Sequence, residues 1–541
     1  MAHTLNDYIS LLEREGLLAA PVPEGLDRNQ PIALVSCDSR TVVPGTLFVC
    51  KGAHFKAEFL DMAQSRGAAA YASEKRWPDS PLPCILLADL RRAMALMADL
   101  CYDHPSGKLK VIGFTGTKGK SSATYYLKSV LDVYRSRQGK GETGVISSID
   151  TYDGAERFES HLTTPEPLDL QRHLAHAAQA GLEYLTMEVS SQALKYHRSL
   201  CTEFAAACFL NIGYDHISPI EHPDFQDYFA SKLKIFGQAQ VNCVNLDCDH
   251  APEVLAAAQA AGKPVITFSQ KNPQADVYAS SVRKEDGQTV FQVRTPSYER
   301  EFRLTMPGLF NVENALGVIA VCEALRIPDW AVYDGLVRAR VPGRMEVFSN
   351  ADGSVQAIVD YAHNRLSFET LFRSVQTEYP GRRVVTVFGC PGKKALDRRR
   401  DLGEISGRCS DLVVLTEEDS GEEDTLSICR EIASYVEAQG CDYSIEPNRG
   451  EAIRQAVLGC REPSVLLITG KGAETRQKRG TEYIDTPSDV DYVQSFLQEY
   501  DVRHGLDGME KVRSLLSILP ILKRDEGRTV VVKYGGSALG A

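Results

Sequence analysis

The segment KLKVIGFTGTKGKSSATYYLKSVLDVY, residues 108–134, contains an apolar run, a glycine-rich turn and a helical pattern in that order. The apolar run predicts a strand that ends at the turn, and the spacing after Lys120 predicts a helix. Backbone N–H groups of such a turn bind phosphate, a lysine there contacts the β- and γ-phosphates, and the Ser121 hydroxyl suits Mg²⁺. The strict P-loop spacing would place a glycine at Phe114. The segment therefore predicts a variant ATP-binding loop between a strand and a helix.

The flanking sequence extends this unit into a parallel sheet. Apolar runs at residues 182–190 and 205–212 predict further strands of the same sheet. The Pro-Gly punctuation at residues 341–344 separates them from a second doubly wound unit. Its strands are predicted from four apolar segments, at residues 355–363, 382–389, 410–419 and 463–472. The first hundred residues predict a small α/β unit.

Composition excludes several classes of protein. The chain has 541 residues, 43% of them hydrophobic and 24% charged, which indicates several folded domains and little disorder. A net charge of -12 argues against nucleic acid as a partner. The 14 cysteines are scattered, so neither a zinc module nor a disulfide framework is indicated. Since no apolar run reaches the ~18 residues of a membrane span, we expect a cytoplasmic protein without membrane insertion.

The loop GFTGTKGKS resembles the GxxGTxGKS loop of the Mur ligase family, and the resemblance covers about residues 30–490. Further family segments are matched by TTPEPLDL, MEVSSQAL, LNIGYDHISPI, GLFNVENALGVIA, VPGRMEVF, DYAH and TGKGAE, in the expected order. The TTPE and EVSS segments resemble the MurE type. That type uses ATP to add the third amino acid to UDP-N-acetylmuramoyl-L-alanyl-D-glutamate in peptidoglycan synthesis.

The resemblance implies an α/β fold: a three-domain Mur ligase with a P-loop central parallel sheet and a Rossmann-like C-terminal domain. We predict a UDP-substrate-binding domain at residues 1–107, an ATPase domain at 108–342 and an amino-acid-binding domain at 343–500. The tail, residues 501–541, resembles the opening of an amino-acid kinase such as N-acetylglutamate kinase. Its Lys533, Gly535 and Gly536 lie in the matching places, which indicates a truncated fusion or a coincidental β-turn.

The same resemblance implies roles in ATP chemistry, with ATP and Mg²⁺ as cofactors. The catalytic residues implied are Lys120, Glu188, His216 and Lys232. Mg²⁺ ligands are Ser121, Glu188 and His216, the last two expected at strand ends beside the loop. Lys232 matches a lysine carbamylated by CO₂; the alternative is a solvated helix lysine. ATP contacts are implied for Gly116, Thr117, Lys118, Gly119, Lys120, Ser121, Ser122, Asn311, Arg344 and Asp360, with Arg344 reaching the phosphates across the domain boundary.

The resemblance also implies contacts to the UDP-muramoyl-dipeptide, at Ser39, Arg40, Thr163, Thr164, Ser190 and Arg198. Turns or helix caps are the alternative for each serine and threonine among them. We expect that alternative to hold for one or two.

The acceptor pocket departs from the family pattern. Enzymes that add meso-diaminopimelate carry DNPR, whereas this chain has TEEDSGEED at residues 416–424, with Asp419, Ser420 and Gly421 in place of Asn, Pro and Arg. The missing arginine disfavours meso-diaminopimelate. The acidic cluster suits lysine or another cationic amino acid, and a solvated acidic loop is the alternative. Amino-acid contacts are implied for Arg399, Asp419, Gly470 and Glu474.

We therefore expect a monomeric ligase that joins a free amino acid to a UDP-muramoyl-dipeptide through an acyl phosphate. Two alternatives stay open at this point. One is a paralogous amide ligase acting on a different carboxylate. The other is a nucleotide-binding regulatory protein that has lost catalysis.

Overall fold

The computed structural model describes residues 3–52, 55–160, 162–218, 221–285 and 287–506. The chain divides into two compact units, Met1–Val341 and Pro342–Ala541. The kinase-like segment of the tail, with Lys533, Gly535 and Gly536, lies outside the described residues. The predicted domain boundaries stay predictions.

The first unit contains ten of the helices and fifteen of the strands described. Its helices are α1 (Leu5–Arg14), α2 (Ala57–Ser65), α3 (Leu90–Cys101), α4 (Lys120–Ser136), α5 (Pro167–Gln179), α6 (Ser191–Lys195), α7 (Phe225–Leu233), α8 (Ala251–Ala260), α9 (Asn311–Leu325) and α10 (Asp329–Arg338), with 3₁₀ turns at Pro105–Lys108 and Lys234–Gln238. Its strands are β1 (Leu34–Ser36), β2 (Thr46–Val49), β3 (Ala68–Ser73), β4 (Cys84–Leu86), β5 (Lys110–Thr115), β6 (Gly144–Ile146), β7 (Asp150–Tyr152), β8 (Arg157–Glu159), β9 (Tyr184–Glu188), β10 (Phe204–Phe209), β11 (Asn242–Asn245), β12 (Val265–Ser269), β13 (Val277–Glu285), β14 (Gln288–Arg294) and β15 (Glu299–Leu304).

The first hundred residues form the predicted small α/β unit. Strands β1 to β4 pair in sequence order, all parallel. Helix α1 buries Leu5, Tyr8, Ile9 and Leu12, a spacing that places them on one helical face. Its N-terminus is closed by a capping box between Thr4 and Asp7. Local sequence therefore accounts for both the start and the buried face of this helix.

An eleven-stranded sheet carries the ATP loop. Its order is β15-β14-β13-β12-β11-β10-β5-β9-β6-β7-β8. The run from β13 to β6 is parallel, as predicted for the strands at residues 182–190 and 205–212, while the outer strands add antiparallel hairpins. Strand β5 is central and buried. Because ligands collect at the carboxyl ends of parallel strands, the loop after β5 is well placed for a nucleotide.

The second unit is a separate doubly wound domain. Its helices are α11 (Arg365–Glu378), α12 (Asp397–Cys409), α13 (Thr425–Glu437), α14 (Arg449–Leu458) and α15 (Asp489–Arg503). Its strands are β16 (Glu346–Ser349), β17 (Val355–Asp360), β18 (Arg383–Phe388), β19 (Leu412–Leu415), β20 (Asp442–Ile445), β21 (Ser464–Thr469), β22 (Arg476–Arg479) and β23 (Glu482–Asp485). Six strands form the sheet β16-β17-β21-β18-β19-β20, parallel except for β16. The four predicted strands are confirmed. None of the described helices is long and apolar enough to cross a membrane.

Candidate functional site

The glycine-rich loop is closely packed and turns sharply into α4. Gly119 caps the helix with a φ of +82°, and a Cβ there would overlap the side chain of Asn314. Gly116 has Leu210 Cβ only 3.1 Å from where its own Cβ would lie. Position 119 therefore requires glycine, and a side chain at position 116 would need its neighbours to move by a few tenths of an ångström. The loop therefore leads directly into the N-terminus of α4, the kind of helix end that binds phosphate, and the phosphate contacts stay predictions.

Two lysines converge on one carbonyl of this loop. Lys120 Nζ lies 2.9 Å from the carbonyl oxygen of Gly116, and Lys232 Nζ lies 2.8 Å from the same atom. Lys232 is buried, so the alternative of a solvated helix lysine is wrong. Burial, reinforced by the charge of Lys120, holds the pKa of Lys232 well below its usual value. Burial beside a second lysine therefore favours the neutral amine of Lys232.

Ser121 and Glu188 are joined through a residue that sequence reasoning missed, Ser148. Its hydroxyl lies 3.3 Å from Ser121 Oγ and donates to Glu188 Oε1 over 3.0 Å. Its backbone N–H donates to the same oxygen over 2.8 Å. Glu188 is the last residue of β9 and is buried, as expected for a strand-end ligand. No sequence signal marks Ser148, because only the pairing of β6 with β9 brings it to this carboxylate.

His216 lies in the loop after β10, seven residues beyond its end, rather than at a strand end as expected. Its φ is +58°, and its Nδ1 lies 3.1 Å from Glu221 Oε1. Its ring packs on Tyr228, whose hydroxyl bonds Thr117 Oγ1 over 2.9 Å. Among the residues that the structure describes, no hydrogen bond joins His216 to Glu188. The histidine is thus connected to the ATP loop but not to the carboxylate.

Three further ATP contacts predicted in the first unit are Lys118, Asn311 and Ser122. The backbone N–H of Lys118 donates to Asn211 Oδ1 over 2.8 Å, and its ammonium lies 3.4 Å from Asp215. Asn311 begins α9 and donates to the carbonyl of Pro307 over 2.6 Å. Ser122 follows Ser121 within α4 and is partly exposed. Asn211 therefore holds the loop at Lys118.

Three of the predicted substrate contacts, Thr164, Ser190 and Arg198, form one cluster at the carboxyl end of β9. The Thr164 hydroxyl donates to the carbonyl of Glu188 over 2.9 Å and accepts the backbone N–H of Ser190 over 3.1 Å. Ser190 caps α6 by accepting the N–H of Ala193. The alternative of a structural hydroxyl therefore describes Thr164 and Ser190 in this structure. Thr163 is partly exposed beside them.

The third member of that cluster, Arg198, is held by Glu166 over 2.8 Å and donates to the carbonyl of Thr164. Its Nε is buried and has no hydrogen-bond partner among the described residues. Glu166 also pairs with Lys51 over 2.6 Å, which ties Arg198 to the end of β2. Neither Glu166 nor Lys51 was predicted, since only folding brings these three segments together.

Ser39 and Arg40 lie apart from that cluster, in the turn after β1. Ser39 is buried, and its hydroxyl bonds Met62 Sδ over 3.3 Å. Arg40 is 81% exposed and pairs with Asp38 over 2.7 Å. The exposed guanidinium is accessible to an anionic ligand.

In the second unit, Arg344 and Asp360 both contact residues of that same unit. The Arg344 guanidinium lies over the ring of Tyr361, 4.1 Å from its centre. The two carboxylate oxygens of Asp360 accept the backbone N–H groups of Met345 and Ala362, each over 2.8 Å. Asp360 therefore fixes the backbone around β17, whichever ligand binds there.

The acidic segment at residues 416–424 is largely neutralised by basic side chains of the same unit. Glu417 pairs with Arg479, Glu422 with Lys393 and Glu423 with Arg399, at 2.6 to 2.9 Å. Asp419 and Glu474 both pair with Lys471, over 3.0 and 2.5 Å. Burial lowers the pKa of Lys471, but these two carboxylates raise it further, so it stays charged. The cluster is an ion-pair network rather than a solvated loop.

Arg399, predicted to hold a carboxylate of the amino acid, is buried and forms ion pairs with two glutamates. Its guanidinium donates to Glu423 over 2.7 Å and to Glu431 over 2.6 Å. The hydrogen bonds that it donates to Glu423 and to Glu431 raise the pKa of Arg399 despite burial. Its Nε has no hydrogen-bond partner among the described residues.

Glu418 is the exception in the acidic segment. It is 7% exposed, lies against Gly470 and has no hydrogen bond or ion pair among the described residues. Burial raises its pKa to about 8, even though Arg449, Arg398 and Lys471 pull the value down. No local pattern distinguishes Glu418 from its acidic neighbours, because the basic partners of those neighbours lie tens of residues away along the chain.

Comparison with known proteins matches two family models. Residues 114–322 match the Mur ligase middle domain, and residues 343–472 match the Mur ligase, glutamate ligase domain. A UDP-N-acetylmuramoyl-L-alanyl-D-glutamate–L-lysine ligase of Enterococcus faecalis is 38% identical, covering 86% of this chain and 93% of its own. A UDP-N-acetylmuramyl-tripeptide synthetase of Lactobacillus delbrueckii is 35% identical over 92% and 99%. A solved UDP-N-acetylmuramoyl-L-alanyl-D-glutamate–2,6-diaminopimelate ligase shares the fold, with a TM-score of 0.63 at 22% identity, over 93% and 100% of the two chains.

Proposed function

The chain belongs to the Mur ligase family, an ATP-dependent family of amide ligases, and we propose that it adds L-lysine to UDP-N-acetylmuramoyl-L-alanyl-D-glutamate in peptidoglycan synthesis. The observation that carries the choice of lysine is Glu418. A buried carboxyl without a partner favours a ligand that brings a positive charge. The relatives named as L-lysine ligases support the same choice.

In the proposed reaction the γ-phosphoryl group of ATP moves to the terminal carboxylate of the dipeptide, giving an acyl phosphate and ADP. The amine of lysine then attacks the acyl carbon, and phosphate leaves as the amide bond forms. The loop amides and Lys120 stabilise the negative charge of the transferring group. In the ligand-free loop Lys120 bonds the Gly116 and Thr117 carbonyls, so it exchanges these contacts for phosphate oxygens.

The residues around Ser121 fit Mg²⁺. Glu188 offers a buried carboxylate whose second oxygen is not used by Ser148, and Ser121 offers a hydroxyl beside it. Oxygen donors of this kind are those that Mg²⁺ prefers. We propose Glu188, Ser121 and His216 as its holders. The ion, when bound, neutralises charge on the phosphates. The two hydrogen bonds from Ser148 hold the Glu188 carboxylate in one position beside the loop.

We further propose that Lys232 is carbamylated. A neutral amine attacks CO₂, forms an N–C bond and releases one proton, which leaves a carbamate anion. The buried position of Lys232 and its lowered pKa favour the neutral amine. The carbamate would place an anion beside the Lys120 ammonium, in place of a second buried amine.

For lysine itself we propose that the Glu418 carboxyl receives the side-chain ammonium, with Gly470 leaving the space in which the carboxyl lies. Asp419 and Glu474 are both paired with Lys471 and hold that lysine in place, and their predicted contacts to the amino acid stay proposals, as do those of Arg399 and Gly470. The contacts predicted for Arg344, Asp360, Ser39, Arg40 and Thr163 stay proposals, as do the monomeric state and the cytoplasmic location.

The experiment is a panel of amino acids with ATP and UDP-N-acetylmuramoyl-L-alanyl-D-glutamate, measuring phosphate release and tripeptide by mass spectrometry. Lysine is expected to support turnover, and meso-diaminopimelate to support little. Turnover with another carboxylate substrate would favour the paralogous ligase. Nucleotide binding without turnover on any member of the panel would overturn the proposal and favour the regulatory protein.

A further inference from the structure

A cluster of metal-ligating side chains lies outside the site described above. Asp153 and Glu156 are in the turn between β7 and β8, and His173 and His176 are on α5. One potential ligand atom from each of the four lies within 4.8 Å of the others. The two histidines are three residues apart, so they share a face of the helix and point at the same turn.

The two imidazoles converge on one carboxylate oxygen. His173 Nδ1 lies 2.7 Å from Asp153 Oδ2, and His176 Nδ1 lies 2.9 Å from the same oxygen. Ligand atoms around a tetrahedral zinc ion, at about 2.0–2.2 Å from it, are roughly 3.3 Å apart. Each imidazole nitrogen is therefore within about 0.6 Å of that separation from Asp153 Oδ2.

The charges around this cluster suit a cation. Asp153 is fully buried, and its Oδ1 accepts the backbone N–H groups of Ala155 and Glu156 over 3.0 and 2.7 Å. Its Oδ2 faces the two imidazoles, of which His173 is buried and His176 partly buried. One cation competes: Arg172 pairs with Glu156 over 3.0 Å at the exposed side.

We propose that Asp153, His173 and His176, with Glu156 as the exposed fourth ligand, bind a divalent transition-metal ion such as Zn²⁺. Two imidazoles together with carboxylate oxygens suit zinc, nickel or cobalt. The ion would tie the β7–β8 turn to α5. Between these two elements the chain carries Thr163, Thr164 and Glu166, so the bound ion would stiffen the segment that holds Arg198.

The test uses the whole, metal-free protein in an excess of Mg²⁺, so that the proposed Glu188 site is occupied. We expect Zn²⁺ to bind with one equivalent more in wild type than in His176→Ala, by dialysis and elemental analysis. Co²⁺ should give the visible absorption of a four-coordinate site. The loss of one ligand should weaken zinc binding ~10-fold or more. Zn²⁺ should also raise the melting temperature of wild type and not of the variant.

His104→Ala is the matched control, because His104 contacts one carboxylate, Asp99, and is mostly exposed. It keeps all cysteines, Glu188 and His216, as His176→Ala does, and should bind zinc like wild type. Equal zinc binding by His176→Ala and wild type would overturn the proposal. So would a wild-type cobalt spectrum without four-coordinate absorption, which needs no variant to fold.

Discussion

Gly470 lies directly against the carboxyl of Glu418, in a backbone conformation with φ +105° that leaves no room for a side chain. The last residue of β21 is followed at once by this glycine, and Glu418 follows β19. These two loops therefore bury the Glu418 carboxyl next to the ion-pair network, in which Glu418 itself makes no ion pair among the described residues.

Gly470→Ala should displace Glu418 and raise the KM for lysine, because the added Cβ overlaps the carboxyl. A charge-assisted contact of about 1.5–3 kcal/mol corresponds to a change of roughly 10- to 150-fold. Steady-state kinetics with lysine measures it. Gly440→Ala is the control, since Gly440 also has a positive φ but nothing within 4 Å. An equal rise in KM for both variants would assign the effect to backbone strain alone.

Lysine binding should depend on the ionisation of Glu418. Below about pH 8 its carboxyl is largely protonated in the ligand-free protein, and the anionic form appears as the pH rises. The KM for lysine is therefore expected to fall as the pH rises through about 8, and Glu418→Gln should remove this dependence while raising the KM. A pH profile of KM, separate from kcat, checks the point. An unchanged profile in Glu418→Gln would assign the titration to another group.

The same carboxyl links folding stability to pH with a defined sign. Its folded pKa of about 8 lies above the ordinary 4.5, so the folded protein holds a proton that the unfolded chain releases. That contribution to stability is fully present below the unfolded pKa and is lost as the pH rises through about 8. Relative to wild type, ligand-free Glu418→Gln should therefore gain melting temperature as the pH rises. A constant difference between the two proteins across this range would contradict the assignment.

Lys232→Met should abolish turnover and yet stabilise the fold. The folded pKa of Lys232 is well below its usual value, so its contribution to the stability of the folded state falls as the pH is lowered. Replacing it by an apolar side chain of similar length removes that cost. Thermal melting and turnover of the same preparation are the measurements. Lys234→Met, an exposed neighbour in the chain, should leave both close to wild type; retained turnover in Lys232→Met would refute the catalytic role.

Ser148→Ala should weaken the apparent affinity for Mg²⁺. It removes the hydroxyl donor to Glu188 and keeps the backbone N–H donor, so the expected cost is about 1 kcal/mol, roughly fivefold. Titration of turnover with Mg²⁺ measures this. Ser147→Ala is the neighbouring control, because the Ser147 hydroxyl bonds the backbone of residues 149 and 150 and not the Glu188 carboxylate. If both variants respond alike, Ser148 has no special part in holding Glu188.

The acceptor loop shows why part of the site was out of reach for sequence reasoning. The acidic residues of the segment 416–424 look equivalent along the chain. Arg479, Lys471 and Lys393 neutralise three of them, from 62, 52 and 29 residues away. Local patterns carry no information about such distant partners. Glu418 can therefore be recognised as the unpaired carboxyl only when the ion pairs of its neighbours are known.

The sequence by itself determined the strands, the glycine-rich turn and the order of motifs, because apolar period, glycine conformation and phosphate chemistry are local properties of the chain. It therefore correctly placed Lys120 and Ser121 at the start of α4 and Glu188 at the end of β9. Tertiary structure alone decided which charges remain unpaired and which lysine is buried. Those outcomes depend on desolvation and on contacts between distant segments, and no single stretch of residues determines either of them.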